Sequence, residues 1–205
     1  MATARNIVER ALKRAALSNA TENASGADLS DGLTALNEMM YGWKAVGVDI
    51  AHQELAASDT FSFFVPPDAM KSAVLQSLSY QGTWNASTNS PALTTGNGTE
   101  GYLYKVSAAG STKLDDVTSW AAGDFAIFDG ADWLKSQSSA PFEGAVVALL
   151  AVRICEDYGA QPGPILMRDA NNGWLNIMSK FVRPDTAIYD RVLRKMPGQL
   201  NYTFN

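Results

Sequence analysis

One cysteine, Cys155, and one histidine, His52, are all that this 205-residue chain offers of the residues from which disulfides, zinc sites and nucleophilic triads are built. A lone cysteine excludes an internal disulfide and gives a thiolate-rich metal site nothing to stand on. It adjoins an apolar run and reads as a small buried hydrophobe. A triad or a His-containing zinc site needs its histidine beside a matched partner. His52 falls in an extended stretch and Cys155 in a core helix, so a Cys–His pair is not expected, and no G-x-S-x-G elbow is present. Long apolar runs are missing too: the eight residues from Ala145 to Val152 fall far short of the roughly 20 that cross a bilayer. The opening MATARNIVERALKR lacks the apolar core of a secretory signal, so none is expected, and the five Asn-x-Ser/Thr sequons read as chance. Charged residues make up only 18%, and the net charge of -5 argues against a basic nucleic-acid binder.

What is present is apolar enough, at 46%, for a sizeable core. Residues 141–181 organise the chain and read as two helices and a tight bend. The first spans about 142–158. Pro141 suits a first turn and Glu143 the positive end of the helix dipole. Its apolar run leaves almost no solvated face, which makes it the buried post of the domain. Arg153, Glu156 and Asp157 close the run, and Gly159 fits a left-handed cap. Pro162, Gly163 and Pro164 turn the chain into a second helix with Leu166, Ala170, Trp174, Ile177, Met178 and Phe181 on one side. So short a link implies antiparallel packing.

Upstream, residues 3–17 read as an amphipathic helix, with Val8, Leu12 and Ala15 opposite Arg5, Arg10, Lys13 and Arg14. Ser25 and Asp28 have capping-box spacing ahead of a helix over about 29–46. Leu29, Leu33, Leu36, Met40 and Trp43 hold helical spacing there, Trp43 reads as core, and Gly47 is the stop. Residues 60–65, TFSFFV, suit a strand or extended arm. Pro66 and Pro67 open a third helical stretch with Met70, Val74 and Leu78 on one face.

At Tyr80 the composition turns to Gly, Ser, Thr, Asn and Trp, and it stays so to about Lys135. Strands are expected over 78–84, 102–107, 124–128 and 132–136, and Asp129-Gly130 signals a hairpin. The stretch carries 3 Lys against 1 Glu and 5 Asp, net -3. After Phe181, the ten residues TAIYDRVLRK between Pro184 and Pro197 can make two or three helical turns with Ile188, Val192 and Met196 on one face. From Lys180 onward there are 5 basic and 2 acidic residues, net +3. Too short to be stable alone, this tail docks back on its own domain or orders on a partner. The expected fold is α+β: an antiparallel α-helical bundle from residues 1–79 and 137–181, an inserted small all-β module over 80–136, and an extended C-terminal tail over 182–205.

Chemical motifs are sparse. Gly96 to Gly101, GNGTEG, matches a dinucleotide fingerprint in letters, but a strand-like YLYKVS follows where a helix is needed, so it reads as a β loop. The acid pairs Asp115/Asp116, Asp129/Asp132 and Glu156/Asp157 suit turns and a helix end better than a glycosidase cleft. Trp84, Trp120 and Trp133 can serve as module core or, if exposed, as stacking surfaces for a glycan or a fibre.

Two groups of residues carry a resemblance. Leu36, Asn37, Met39, Trp43 and Gly47 fit a helix of the form L-N-x-M-x-x-x-W-x-x-x-G. A later helix is matched at Ala148, Ala151, Arg153, Tyr158 and Gly159. Together they resemble the head-to-tail adaptors of short-tailed bacteriophages, the head-completion or packaged-DNA stabilisation proteins beneath the portal, over about residues 5–65 and 141–185. The insert is similar to a β repeat of phage tail-fibre and adsorption proteins. Tyr80, Gly82, Thr83, Trp84 and Asn85 match its start, and Gly123, Asp124, Ile127, Phe128, Gly130 and Trp133 its end. It departs from the plain adaptor pattern, and no adaptor role transfers to it.

The resemblance implies a structural virion protein and no enzyme: a ring of twelve copies under the portal, joining capsid to tail and helping to retain packaged DNA. No cofactor or metal is implied. The partners would be the portal protein, tail nozzle or tail-fibre proteins and further copies of the chain. DNA would pass through the channel without sequence-specific binding, and no membrane is involved. The basic first helix and basic tail are read as surfaces for partners, with Arg183, Tyr189, Arg191, Arg194 and Lys195 on the portal side and Trp84, Trp120 and Trp133 as possible glycan or fibre contacts. The protein would reside in the virion neck, and in the host cytoplasm during assembly. The alternatives are a fibre-associated glycan-binding protein and a peptidoglycan-degrading virion enzyme.

Overall fold

Four α-helices and one four-stranded mixed sheet occupy the residues described by the computed structural model of the chain, 2–15, 24–48, 51–70, 74–75 and 77–181. Helix α1 (Ala4–Arg14) starts at Thr3, whose hydroxyl accepts the Asn6 N–H. The Ala4 and Arg5 N–H groups, which have no partner inside the helix, donate to the carbonyls of Asp59 and Ala57. Helix α2 (Gly26–Ala45) starts at Ser25, whose Oγ accepts the Asp28 N–H at 3.1 Å and donates to the Asp28 carboxylate at 2.7 Å. It stops where the sequence requires: Gly47 takes φ +79°, its N–H reaches the Lys44 carbonyl, and the Val48 N–H reaches that of Trp43.

Helix α3 (Glu143–Asp157) is entered through a 3₁₀ turn, Ala140–Phe142, that contains Pro141. It ends as α2 does: Gly159 is at φ +65°, with Gly159 N–H on Glu156 O and Ala160 N–H on Cys155 O. Helix α4 (Pro164–Met178) follows. As its apolar run demands, α3 touches all three other helices. Two glycines permit the closest approaches. A Cβ on Gly32 would lie 2.4 Å from Val8 Cγ1, and one on Gly173 would lie 2.7 Å from the Ala145 Cβ. No helix among the described residues is long and apolar enough to cross a membrane.

The sheet runs in the order β1 (Ser79–Asn85), β2 (Tyr102–Ala108), β3 (Phe125–Phe128), β4 (Trp133–Lys135). The β2–β3 and β3–β4 pairs are antiparallel, but β1 and β2 run parallel. Their 16-residue link, 86–101, is long enough to return the chain to the same end without a helix. The hairpin at Asp129-Gly130 forms with a four-residue loop, because Phe128 pairs with Trp133. Asp129 Oδ1 accepts the N–H groups of Ala131 and Asp132, at 2.9 and 2.8 Å, and Gly130 takes φ +96°.

Both faces of the sheet are covered, and β3, FAIF, is buried throughout. Ala126 and Phe128 join Trp84, Val106 and Trp133 in a core closed by Leu93, Leu114 and Trp120 from the loops. Phe125 and Ile127 point the other way with Leu103, against Ala51, Phe64, Met70 and Val74. Residues 60–65 therefore form a wall between sheet and helices. They make one isolated bridge, Thr3 to Thr60, and otherwise stay extended without joining a sheet. Phe61, Phe63 and Val65 enter the helical core, while Phe64 enters the sheet core.

One expectation is corrected. Residues 66–70 form a turn rather than the start of a helix: Met70 N–H closes on the Pro67 carbonyl. Val65 and Pro66 each precede a proline, which disfavours the helical backbone region at both. Val74 and Leu75 are helical, and 71–73 and 76 lie outside the described residues. Three arginines on the basic side of α1 make ion pairs within the chain. Arg5 pairs with Glu9, Arg10 with Glu143 on α3 and Arg14 with Asp169 on α4.

Candidate interaction surface

The residues that match the two helical motifs meet between α2 and α3, and each has a definable job. Leu36, Ala148 and Ala151 are buried where the helices pack. Asn37 lies one residue off that line and reaches the segment leading to the arm. Its Oδ1 accepts the Leu55 N–H at 2.8 Å and its Nδ2 donates to the Leu55 carbonyl at 3.0 Å, so the amide serves Leu55 as a strand partner would. Gly47 and Gly159 are the left-handed caps. Tyr158 donates to Asp28 Oδ1 at 3.1 Å, joining the end of α3 to the start of α2. That hydroxyl is pushed above its usual range mainly by burial and then by the Asp28 hydrogen bond. The Asp28 carboxyl is held below its usual range by Ser25 first and Tyr158 second.

The remaining members, Met39, Trp43 and Arg153, belong to a groove of about 440 Å³. Met39, Gly42, Trp43 and Val46 form its α2 side, Leu149 and Val152 its α3 side, and Trp174 of α4 closes the end. Trp43 and Trp174 lie 5.3 Å apart between ring centroids, tilted by 45°. The apolar run of α3 therefore does not bury all round. Ala145, Leu149 and Val152, spaced along one stripe, stay half-buried. Arg153 and Glu156 sit at the rim. Arg153 is anchored by Glu38 across the helix pair, and its Nε is buried without a hydrogen-bond partner among the described residues.

The helices that form the groove carry further uncovered apolar side chains. Val46 is 58% exposed and Leu175 59%, with Tyr41, Ile165 and Met167 also open on α2 and α4. Scattered apolar residues on a surface are ordinary. A concave apolar groove with large apolar neighbours and a charged rim marks a place where another surface sits.

The sequence-level contact candidates lie elsewhere. Trp84, Trp120 and Trp133 are core, at 0%, 2% and 2% exposure. Their N–H groups are used internally, on Asn89 Oδ1, on the Thr112 carbonyl and on the Thr94 and Asn97 carbonyls. Stacking on a sugar needs an open ring face, so the glycan or fibre contact assigned to these three is corrected to packing. Arg183, Tyr189, Arg191, Arg194 and Lys195 lie outside the described residues.

The acid pairs do local work. Asp115 Oδ2 accepts the Trp133 N–H at 2.6 Å, and Asp129 shapes its turn. Glu156 and Asp157 sit at the exposed end of α3. Residues 96–101 form a loop in which a Cβ on Gly98 would lie 2.7 Å from the Phe128 ring. Cys155 is buried, and its thiol is pushed up by burial and then by Glu156, which disfavours the reactive thiolate. Comparison with models of known protein families gave no match to this chain, and comparison with curated proteins gave none either.

Proposed function

We propose that this chain is a structural virion protein, a head-to-tail adaptor that forms a ring of twelve copies beneath the portal, joins the capsid to the tail and helps to retain packaged DNA. The observation that carries this reading is the apolar groove, built from the same helices, and partly from the same residues, that carry the resemblance to such adaptors. Met39 and Trp43 are nearly buried, while Leu149, Val152 and Trp174 beside them stay half-buried on the groove. A surface contacted head-to-tail by a different surface of the next copy generates rings, and an open apolar groove supports the reading that one such surface lies here.

In this reading the helices form an antiparallel bundle from residues 1–79 and 137–181, with 80–136 as an insert on the ring's outer side. The tail over 182–205 runs along the portal, with Arg183, Tyr189, Arg191, Arg194 and Lys195 making charge-assisted and aromatic contacts. The channel passes DNA without sequence-specific binding. The chain performs no chemistry and needs no cofactor.

The test is the oligomeric state of the purified protein with and without portal, by mass measurement and electron microscopy. Annular assemblies on the portal are expected, and removal of everything after Lys180 should abolish portal occupancy. A chain that never joins the portal, or a truncated chain that joins it with full occupancy, overturns the reading.

A further inference from the structure

We infer that Asn97–Gly98, in the loop between β1 and β2, is a site of spontaneous deamidation, and that its product loosens the chain's hold on Trp133. The inference concerns the β module alone and does not depend on the adaptor reading. The chain contains two Asn-Gly dipeptides, Asn97–Gly98 and Asn172–Gly173, and the fold treats them in opposite ways.

The reaction needs a side chain open to water, a following backbone nitrogen free to attack it, and a backbone able to turn between them. Asn97 meets all three. Residues 94–100 are exposed. Neither the Gly98 N–H nor the Asn97 side-chain amide makes a hydrogen bond among the described residues. Gly98 has no Cβ to obstruct ring closure. Two bonds hold the backbone in place: the Asn97 N–H on the Thr94 carbonyl at 3.1 Å, and the Trp133 Nε1–H on the Asn97 carbonyl at 3.2 Å. Both belong to an exposed loop, where local opening costs little. When the second opens, the Trp133 N–H keeps the Thr94 carbonyl at 3.0 Å.

Asn172 is exposed too, but it lies inside α4. The Gly173 nitrogen there donates along the helix. Gly173 is also pressed against α3, where an added Cβ would lie 2.7 Å from the Ala145 Cβ. The ring cannot close at that site without disrupting the helix pair.

At Asn97 the Gly98 nitrogen attacks Cγ. A C–N bond forms, the bond from Cγ to Nδ2 breaks, and ammonia leaves with the proton that Gly98 gives up. Water then opens the cyclic imide at one carbonyl or the other, giving aspartate or isoaspartate. Water is consumed, ammonia is released and nothing is oxidised or reduced. Opening at the former Asn97 carbonyl leaves Gly98 bonded through Cγ. The main chain gains a carbon, and the acceptor of the Trp133 N–H becomes a free carboxylate. Gly98 has no room for this: an added Cβ would already lie 2.7 Å from Phe128 Cγ and 3.0 Å from Trp133 Cζ2. The lengthened loop therefore lifts from a ring that is only 2% exposed in the native fold.

The test is incubation of the intact chain at mildly alkaline pH, with peptide mapping by mass spectrometry over time. Asn97 should convert at least about tenfold faster than Asn172, because only the second must wait for a packed helix to open. Equal rates, or a faster Asn172, overturn the inference. In concentrated urea the two rates should converge; a gap that persists there assigns the difference to sequence rather than to fold and also overturns it. Tryptophan emission should shift to the red as Asn97 converts and stay constant in Asn97→Gln, which has no five-membered ring to close. Full conversion at Asn97 with unchanged emission overturns the effect on Trp133.

Discussion

Phe63 and Phe64 are neighbours in the chain and lie in different cores. Phe63 packs edge-on against Trp43 at 5.9 Å and near Phe142 at 6.1 Å, among the helices. Phe64 meets Phe125 of the sheet at 5.8 Å. An extended backbone turns successive side chains to opposite faces, so a single peptide bond ties the two cores together. Either core can loosen only by disturbing the backbone that lines the other.

Phe63→Ala and Phe64→Ala should each cost about 3–5 kcal/mol, the range for emptying a buried aromatic site. Both should lower the midpoint of one shared unfolding transition. Calorimetry with tryptophan fluorescence checks this: separate transitions for the tryptophans of the sheet and those of the helices would contradict the shared wall.

Asn37→Ala should cost about 1–3 kcal/mol, because both backbone groups of Leu55 lose their partner in a half-buried place. Denaturant titration measures the loss, and hydrogen exchange at the Leu55 amide locates it, with protection falling there before the helices are affected.

Gly32→Ala should destabilise by roughly 1–3 kcal/mol, since its methyl would lie 2.4 Å from Val8 Cγ1. Adding Val8→Ala removes the obstructing atom. The double variant should then be more stable than the sum of the two single losses allows, a coupling that a double-mutant cycle reads directly.

The Asp28 carboxyl titrates below its usual value in the folded chain, through Ser25 first and Tyr158 second. A depressed folded value means that the contribution is present above the unfolded value and is lost as pH falls through the folded one. The relevant window is therefore acidic, at and below the ordinary 3.8. In an NMR titration, Tyr158→Phe should move the Asp28 midpoint part of the way up, and Ser25→Ala should move it further.

The helices could be read from the sequence because their signals are local. Thr3 and Ser25 cap, Gly47 and Gly159 stop, and apolar residues recur at helical spacing. The strands were readable for the same reason, and Asp129 announces its own turn by bonding the backbone just ahead of it. The parallel pairing of β1 with β2 was not readable, because it joins segments separated by a loop with no periodic signal. Nor was the groove. Its walls come from three helices, and within a run such as AVVALLAV nothing local tells the stripe of Ala145, Leu149 and Val152 from the stripes that bury fully. Trp43 reads as core and is core, yet its edge also lines the groove, since α2 and α4 do not close over α3 at that level.

The two margins of the sheet differ from its centre in a way that bears on crowding. At one margin β1 is broken by an irregularity between Tyr80 and Thr83, where Gly82 takes φ +105°. At the other, β4 is three residues long and ends in Lys135. A strand from a neighbouring molecule needs a long, flat, unbroken row of donors and acceptors to add itself, and neither margin supplies one. Neither edge therefore offers a template on which neighbouring molecules could fuse through their ladders into fibrils, even at high local concentration.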